Sequence, residues 1–446
     1  MGKYFGTDGV RGLANGDLTP ELTMEIGRAG AYVLAGNLGK APKILIGNDT
    51  RISADMLEAA LVAGLCSVGA EIYKAGVAPS PAMAYLVRHY HMDAAVMLSA
   101  SHNPMPDNGI KFFSSTGYKL PDEVEEEIEA LLDKQDQIPR PTGEAIGRRL
   151  IVKDAVEDYV SFLMETIGSL EGMRVALDCA NGACCEAAPL VFKRLGAEVL
   201  PIHYKPNGVN INVDCGSTHM ESLAAFVKAN KVDIGLAFDG DGDRVLAVDE
   251  NGELIDGDQI MAICALSLKQ KGRLKNNTLV ATVMSNLGLQ NFCDKEGIRL
   301  KRTKVGDRYV IQEMKAGGYT LGGEQSGHII FLDHNTTGDG ILTGLQLVAM
   351  LKERGQKMSE LSSIMTPLPQ VLLGAKLKNK LKADVRENKK IDEAIRDLEK
   401  RLEGNGRLLV RPSGTEPLVR VMIEGQNQDE IKKWAEELVS IIGQEL

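Results

Sequence analysis

Lys43-Ile44-Leu45-Ile46-Gly47-Asn48-Asp49 is a short apolar run that closes on a glycine and two polar residues. Its apolar side chains are consecutive, not alternating, which is the pattern of a strand covered on both faces. A polar turn and then a stretch of helical character follow, as in a βαβ unit. The same order recurs at Arg174-Val175-Ala176-Leu177-Asp178-Cys179-Ala180-Asn181-Gly182 and at Thr278-Leu279-Val280-Ala281-Thr282-Val283-Met284-Ser285-Asn286. The recurrence points to three similar α/β domains.

Length agrees with this. A chain of 446 residues exceeds what one compact core holds and predicts three or four domains. Gln137-Ile138-Pro139-Arg140-Pro141-Thr142-Gly143 reads as a surface connection late in the first domain, and Met365-Thr366-Pro367-Leu368-Pro369 as the boundary before the last. After that boundary come a charged helix (Lys390 to Leu402), a strand at Arg407-Leu408-Leu409-Val410, a loop at Arg411, a strand through Glu424 and a helix from about Asp429. Helices to one side of a small sheet predict an α+β unit. The expected divisions are 1–153, 154–255, 256–368 and 369–446.

Composition removes several classes of function. The hydrophobic content of 44% is ordinary for a globular protein, and no apolar run approaches the roughly 20 residues of a membrane span. Met1-Gly2-Lys3-Tyr4-Phe5-Gly6 has no apolar region of the secretory type, so a cytoplasmic protein is expected. The seven cysteines form no CxxC pair, so reduced thiols are expected and zinc is not. A net charge of −10 argues against nucleic acid and against an anionic membrane surface. An anionic substrate must then be held by local cations: Arg11, Lys111, Arg244, Arg411 and Arg420 all lie near Gly, Pro or Ser.

Four segments carry the chemistry. Ser101 follows the apolar run Ala94-Ala95-Val96-Met97-Leu98, so a hydroxyl nucleophile stands at a strand's C-terminal end, beside His102, Asn103 and Pro104. Asn108-Gly109 reads as a further tight turn that delivers Lys111. Asp239, Asp241 and Asp243 alternate with glycines and precede Arg244. Three carboxylates at this spacing imitate an EF-hand, but Arg244 stands where that loop needs glycine and the residues before it read as a strand. A hard divalent ion such as Mg²⁺ fits better. Gly323-Glu324-Gln325-Ser326-Gly327-His328 offers Glu324 and Ser326 for hydroxyl groups and His328 for a proton or an oxygen, although a loop histidine can equally be structural. Arg411-Pro412-Ser413-Gly414-Thr415-Glu416-Pro417 offers a guanidinium, two hydroxyls and the N–H groups around Gly414 as a phosphate cradle, or a plain turn.

In this order and at these distances the four segments resemble the α-D-phosphohexomutase family. The likeness begins at Phe5-Gly6-Thr7-Asp8-Gly9-Val10-Arg11-Gly12 and covers nearly the whole chain. It implies three α/β domains with mixed sheets, followed by a smaller α+β domain. It also implies an isomerase that moves a phosphoryl group between two oxygens of a hexose through a phosphoserine and a bisphosphate. Ser101 would carry the phosphate, and one Mg²⁺ would be held by Asp239, Asp241, Asp243 and phosphorylated Ser101. Glu324 and Ser326 would read sugar hydroxyls, and Arg411, Ser413, Gly414 and Thr415 would hold the phosphate that is not reacting. Arg11, His102, Lys111, Arg244 and His328 would complete the catalytic set. Gln325 and the segment Val283-Met284-Ser285-Asn286-Leu287-Gly288 favour a hexosamine phosphate over a glucose or mannose phosphate. A homodimer is compatible with this reading, and a non-catalytic sugar-phosphate binder is the alternative from another class.

Overall fold

The computed structural model describes residues 3–6, 8–377, 385–412 and 418–446. The chain forms two compact units, one of Met1–Met284 with Gly297–Ile364 and one of Ser285–Glu296 with Met365–Leu446.

The first unit holds three sheets. The first sheet is built from β1 (Phe5–Gly6), β2 (Gly9–Leu13), β3 (Lys43–Asn48), β4 (Glu71–Val77), β5 (Ala94–Leu98), β6 (Asp107–Ser114) and β7 (Arg149–Ile151), in the order β1-β2-β6-β5-β3-β4-β7. The second contains β8 (Arg174–Asp178), β9 (Glu198–Ile202), β10 (Ile234–Phe238), β11 (Val245–Asp249) and β12 (Leu254–Ile255), in the order β12-β11-β10-β8-β9. The third contains β13 (Thr278–Thr282), β14 (Arg299–Thr303), β15 (Leu321–Gly323) and β16 (Ile329–Phe331), in the order β14-β13-β15-β16.

One four-strand pattern underlies all three. The runs that begin at Lys43, Arg174 and Thr278 become β3, β8 and β13, each flanked by parallel strands on both sides. Their apolar side chains are buried, as expected of strands with both faces covered. In each sheet the next parallel strand, β5, β10 or β15, then reverses into an antiparallel partner, β6, β11 or β16. The reversal places a loop at the C-terminal end of a parallel strand three times over. These loops contain Ser101, the aspartates and Glu324–His328 respectively.

Helices follow the central strands at Ala54–Cys66, Cys184–Arg194 and Leu287–Glu296, the last belonging to the second unit. Helix Pro20–Leu38 starts where the Thr19 hydroxyl accepts from the Leu22 N–H and ends at Gly39, whose φ of 67° lies in the left-handed region that glycine supplies.

The second unit is smaller. Its sheet is antiparallel, with β17 (Gln370–Lys376), β18 (Gly406–Pro412) and β19 (Leu418–Gly425) in the order β17-β19-β18. Helices Lys389–Leu402 and Gln428–Glu445 bury Ile391, Ile395, Ile431, Leu438 and Ile442 with Val421 and Ile423 of the sheet. The α+β unit expected at the C-terminal end is present. No helix among the described residues is long and apolar enough to cross a membrane.

Candidate active site

Ser101 is 1% exposed and has a φ of 52°, a conformation that costs a serine energy and is held only when its surroundings impose it. Arg51 imposes it. This guanidinium is fully buried, pairs with Asp49 at 2.9 Å, and donates to the carbonyls of Ser101 at 3.0 Å and Asn103 at 2.8 Å, with Pro104 and Asp107 as further acceptors. The Ser99 hydroxyl donates to Asp49 at 2.5 Å and accepts the Ser101 N–H at 3.0 Å. The outcome is a fixed hydroxyl: Ser101 Oγ donates to Asp239 Oδ2 at 2.6 Å.

Asp239, Asp241 and Asp243 bring one carboxylate oxygen each within 4.8 Å of the others. The loop fits against Ser101 because Gly240 has no side chain; a Cβ there would stand 2.5 Å from the Ser101 carbonyl oxygen. Burial, then the neighbouring charges of Asp243 and Asp241, push the Asp239 carboxyl well above its ordinary range. Burial also acts against Asp241, but Lys111 and hydrogen bonds from Lys111 and Ser80 outweigh it and hold that carboxyl low. Asp241 Oδ1 and Asp243 Oδ1 are buried and have no hydrogen-bond partner. Crowded carboxylates with orphaned buried oxygens fit a hard divalent cation.

Lys111 reaches this cluster from β6, opposite Met97 of β5. The turn expected at Asn108-Gly109 is absent: both residues lie inside β6, where Gly109 pairs with Arg11. A Cβ at Gly109 would meet the Ser99 carbonyl oxygen at 2.5 Å, so this glycine serves close packing. The Lys111 ammonium lies 2.7 Å from Asp241, 3.0 Å from Asp8 and 3.7 Å from Asp243. Burial disfavours its charge, but Asp241, Asp8 and Asp243 prevail and keep it protonated far above the ordinary range. Lys111 is therefore a buried cation held among three aspartates in this arrangement. Arg11 pairs with Asp8, and Lys119 pairs with both Asp8 and Asp307. Ions of alternating sign thus run from Asp241 to Asp307.

His102 lies 3.4 Å from Ser101 Oγ through Nδ1, which accepts from Arg244 Nη1 at 3.1 Å. Burial, then the positive charges of Arg244 and Arg11, lower its pKa to about 4. It is a neutral imidazole at pH 7 that orients Arg244.

The turn between β15 and β16 is tied to the aspartate loop by backbone. Val245 N–H, just after the aspartates, donates to Gly327 at 3.1 Å; beyond β16, Gly340 N–H at the start of helix Gly340–Arg354 adds a bond to Gly242 at 3.0 Å. Glu324 accepts from Gly306 N–H at 3.1 Å, and Ser326 is exposed. His328 is buried, and its Nε2 accepts from Gly338 N–H at 3.3 Å. Gln325 turns the other way and donates to Asp256, the cap of helix Gly257–Gln270, at 3.1 Å. Asn286 likewise serves the fold, accepting from the N–H groups of Gly288 and Leu368. The two sequence features that favoured an amino sugar thus have structural duties.

In the second unit Arg411 of β18 stands directly opposite Arg420 of β19. Burial, then the like charge of Arg420, lower the Arg411 pKa. Facing guanidiniums of this kind suit an anion. Ser413, Gly414 and Thr415 lie outside the described residues.

Sequence reading missed Asp8, Arg51, Ser80, Lys119 and Asp307. Asp8 lies within a quoted motif and Arg51 closes the turn after the first quoted run. The other three carry no local signal and meet the site only through the fold.

Four models of phosphoglucomutase/phosphomannomutase match the chain: α/β/α domain I at residues 2–139, α/β/α domain II at 154–252, α/β/α domain III at 256–368 and the C-terminal domain at 372–441. A phosphoglucosamine mutase of Acetivibrio thermocellus is 59% identical over 448 residues, covering 100% of both chains. One of Ruminiclostridium cellulolyticum is 57% identical over 444 residues, covering 99% of each. Among solved structures, a phosphoglucomutase/phosphomannomutase family protein of Burkholderia thailandensis superposes with a TM-score of 0.81 at 23% identity, over 98% of this chain and 97% of that one. With all four domain models matched in order and full-length relatives above half identity, the chain belongs to the phosphoglucomutase/phosphomannomutase family.

Proposed function

We propose that the chain interconverts glucosamine 6-phosphate and glucosamine 1-phosphate, feeding amino-sugar nucleotide and cell-wall precursor synthesis. One observation carries the chemistry: a strained, braced Ser101 hydroxyl 2.6 Å from a carboxylate of a three-aspartate cluster. The choice of an amino sugar is supported by the full-length relatives that bear the name phosphoglucosamine mutase.

Ser101 carries the phosphoryl group. Its P–O bond breaks as a P–O bond forms to the free hydroxyl of the bound sugar phosphate, and overall the hydroxyl proton ends on Ser101 Oγ, which is left as a hydroxyl. The bisphosphate then turns end for end and returns its other phosphoryl group to Ser101. Lys111, Arg11 and Arg244 supply fixed positive charge where negative charge develops, already neutralised in part by their aspartates and so requiring no rearrangement. His102 holds the direction of Arg244. Glu324 and Ser326 are assigned to sugar hydroxyls, and His328 to a contact through its buried ring. Arg411, with Ser413, Gly414 and Thr415, is assigned to the phosphate that is not reacting. Asp239, Asp241, Asp243 and a phosphate oxygen on Ser101 would hold Mg²⁺, which when bound screens the charge on the phosphoryl oxygens.

The test is a coupled assay with glucosamine, glucose and mannose phosphates. The glucosamine pair should turn over fastest. Faster turnover of glucose or mannose phosphates would overturn the amino-sugar assignment. In the same assay Arg411→Ala should weaken both glucosamine phosphates by about 2–3 kcal/mol and leave the phosphate on Ser101. Loss of that phosphate would end the assignment of Arg411.

A further inference from the structure

A second cluster of ligating atoms, distinct from the three aspartates, lies in the second sheet. Asp178 ends β8, His203 follows β9, and Cys215 leads into the short turn Gly216–Thr218. One ligand atom of each lies within 4.8 Å of the other two. β8 and β9 are parallel neighbours, so the carboxylate and the imidazole emerge together at strand C-termini, where open α/β sheets hold ligands.

Asp178 accepts from Ala180 N–H at 2.9 Å, from Gly216 N–H at 3.0 Å and from His203 Nδ1 at 2.9 Å. A carboxylate only accepts, so without an ion the imidazole proton sits on Nδ1; an ion entering between the carboxylate, Nδ1 and the thiol takes that proton's place, and the proton moves to Nε2. Beside this pair the buried thiol of Cys215 stands within reach, with a single long contact from the Asn181 amide at 4.0 Å. A second thiol, Cys185, donates to the His203 carbonyl at 3.9 Å. The His203 side chain is 31% exposed, which gives an ion a way in.

We propose that Asp178, His203 and Cys215 form a second metal site, one that takes a borderline-soft divalent ion of the Zn²⁺ type. Sulfur and nitrogen donors select such an ion and disfavour Mg²⁺, which demands oxygen. Binding releases the Cys215 thiol proton to solvent. The ion would tie together both ends of residues 203–215. Within that segment Asn212 donates to the carbonyls of Ser101 at 2.9 Å and Asn103 at 3.1 Å. The site therefore fixes a brace behind the nucleophile.

The test uses the full chain, stripped with a chelator and titrated with Co²⁺ in excess Mg²⁺. Wild type should bind Co²⁺ with a thiolate charge-transfer band, and Zn²⁺ should displace it. Asp241→Asn, which alters only the aspartate cluster, should keep the band. Cys215→Ser should lose it, and the surface-facing His203→Ala should weaken binding by more than the roughly 10–100-fold that follows loss of an outer partner. A wild-type spectrum without a thiolate band overturns the proposal, whatever the variants do. So does a band that survives Cys215→Ser or disappears in Asp241→Asn. The assay with sugar phosphates plays no part in these readings, so the mutase assignment and this site fail separately.

Discussion

The sheet built from β8 to β12 carries two clusters of ligating side chains at the ends of its parallel strands, and they have been finished in opposite ways. After β10, three aspartates crowd together with two buried oxygens left without partners, and Lys111 and Arg244 balance only part of the charge. After β8, one aspartate has all the hydrogen bonds it needs, and the imidazole and thiol beside it add softer donors. An unfinished carboxylate set is poised to take up a hard cation and phosphate. A finished one holds its loop in place first, and any ion it takes reinforces that hold. Position on the sheet is the same; the donor set decides the role.

The sharpest way to break this comparison is through turnover. Ser101→Ala should reduce mutase activity to background while the circular dichroism and the Co²⁺ thiolate band stay at wild-type values, because losing one buried hydrogen bond costs about 1–3 kcal/mol, too little to unfold the chain. Asp241→Asn should lower turnover by roughly a hundredfold or more, in proportion to several kcal/mol of lost charge stabilisation. Substantial activity in both would remove the catalytic role from the β10 cluster.

Stability gives the next contrast. Arg51→Met removes the guanidinium donors to the serine loop, keeps those of Asn212, and leaves Asp49 buried without its ion pair. A cost of about 3–5 kcal/mol is expected in urea unfolding. His203→Ala removes one charge-assisted hydrogen bond from an aspartate that keeps two backbone donors, so about 1–3 kcal/mol is expected. A larger cost at His203 than at Arg51 would reverse the ranking of the two braces.

How legible these sites were depends on how local their determinants are. The three central strands were readable because burial on both faces leaves a continuous apolar run, as in Ile44-Leu45-Ile46. Ser101 and the aspartates were readable because each group lies within a few residues of chain. Asp307 and Ser80 were not, since they reach Lys119 and Asp241 only across domains, 188 and 161 residues apart. The turn read into Asn108-Gly109 failed because glycine there serves close packing against Ser99, which no local pattern reports. The second cluster was hidden for a similar reason: Asp178 and His203 are 25 residues apart on neighbouring strands, so a search for paired cysteines passes over them.

The smallest expected effect sets the two histidines against each other. It is to be measured on dephosphorylated protein in chelator, so that neither cluster holds an ion. Burial and the charges of Arg244 and Arg11 lower His102 to about 4, whereas an unfolded histidine titrates near 6.5. Between those values the unfolded chain takes a proton that the folded chain refuses. Stability should therefore fall as pH drops from about 6.5 to about 4, by at most about 3 kcal/mol, and stop falling below that. His203 has the opposite sign. Its hydrogen bond to Asp178 outweighs burial and raises its pKa, so its contribution is fully present below about 6.5 and is lost as pH rises through the folded value. With the ring partly exposed, that contribution should stay under about 1 kcal/mol. His102→Gln should flatten the acid limb of the stability curve, and His203→Gln the neutral-to-alkaline limb. If His102→Gln leaves the acid limb unchanged, the imidazole beside Ser101 is not the neutral group that orients Arg244, and the electrostatic half of the comparison falls with it.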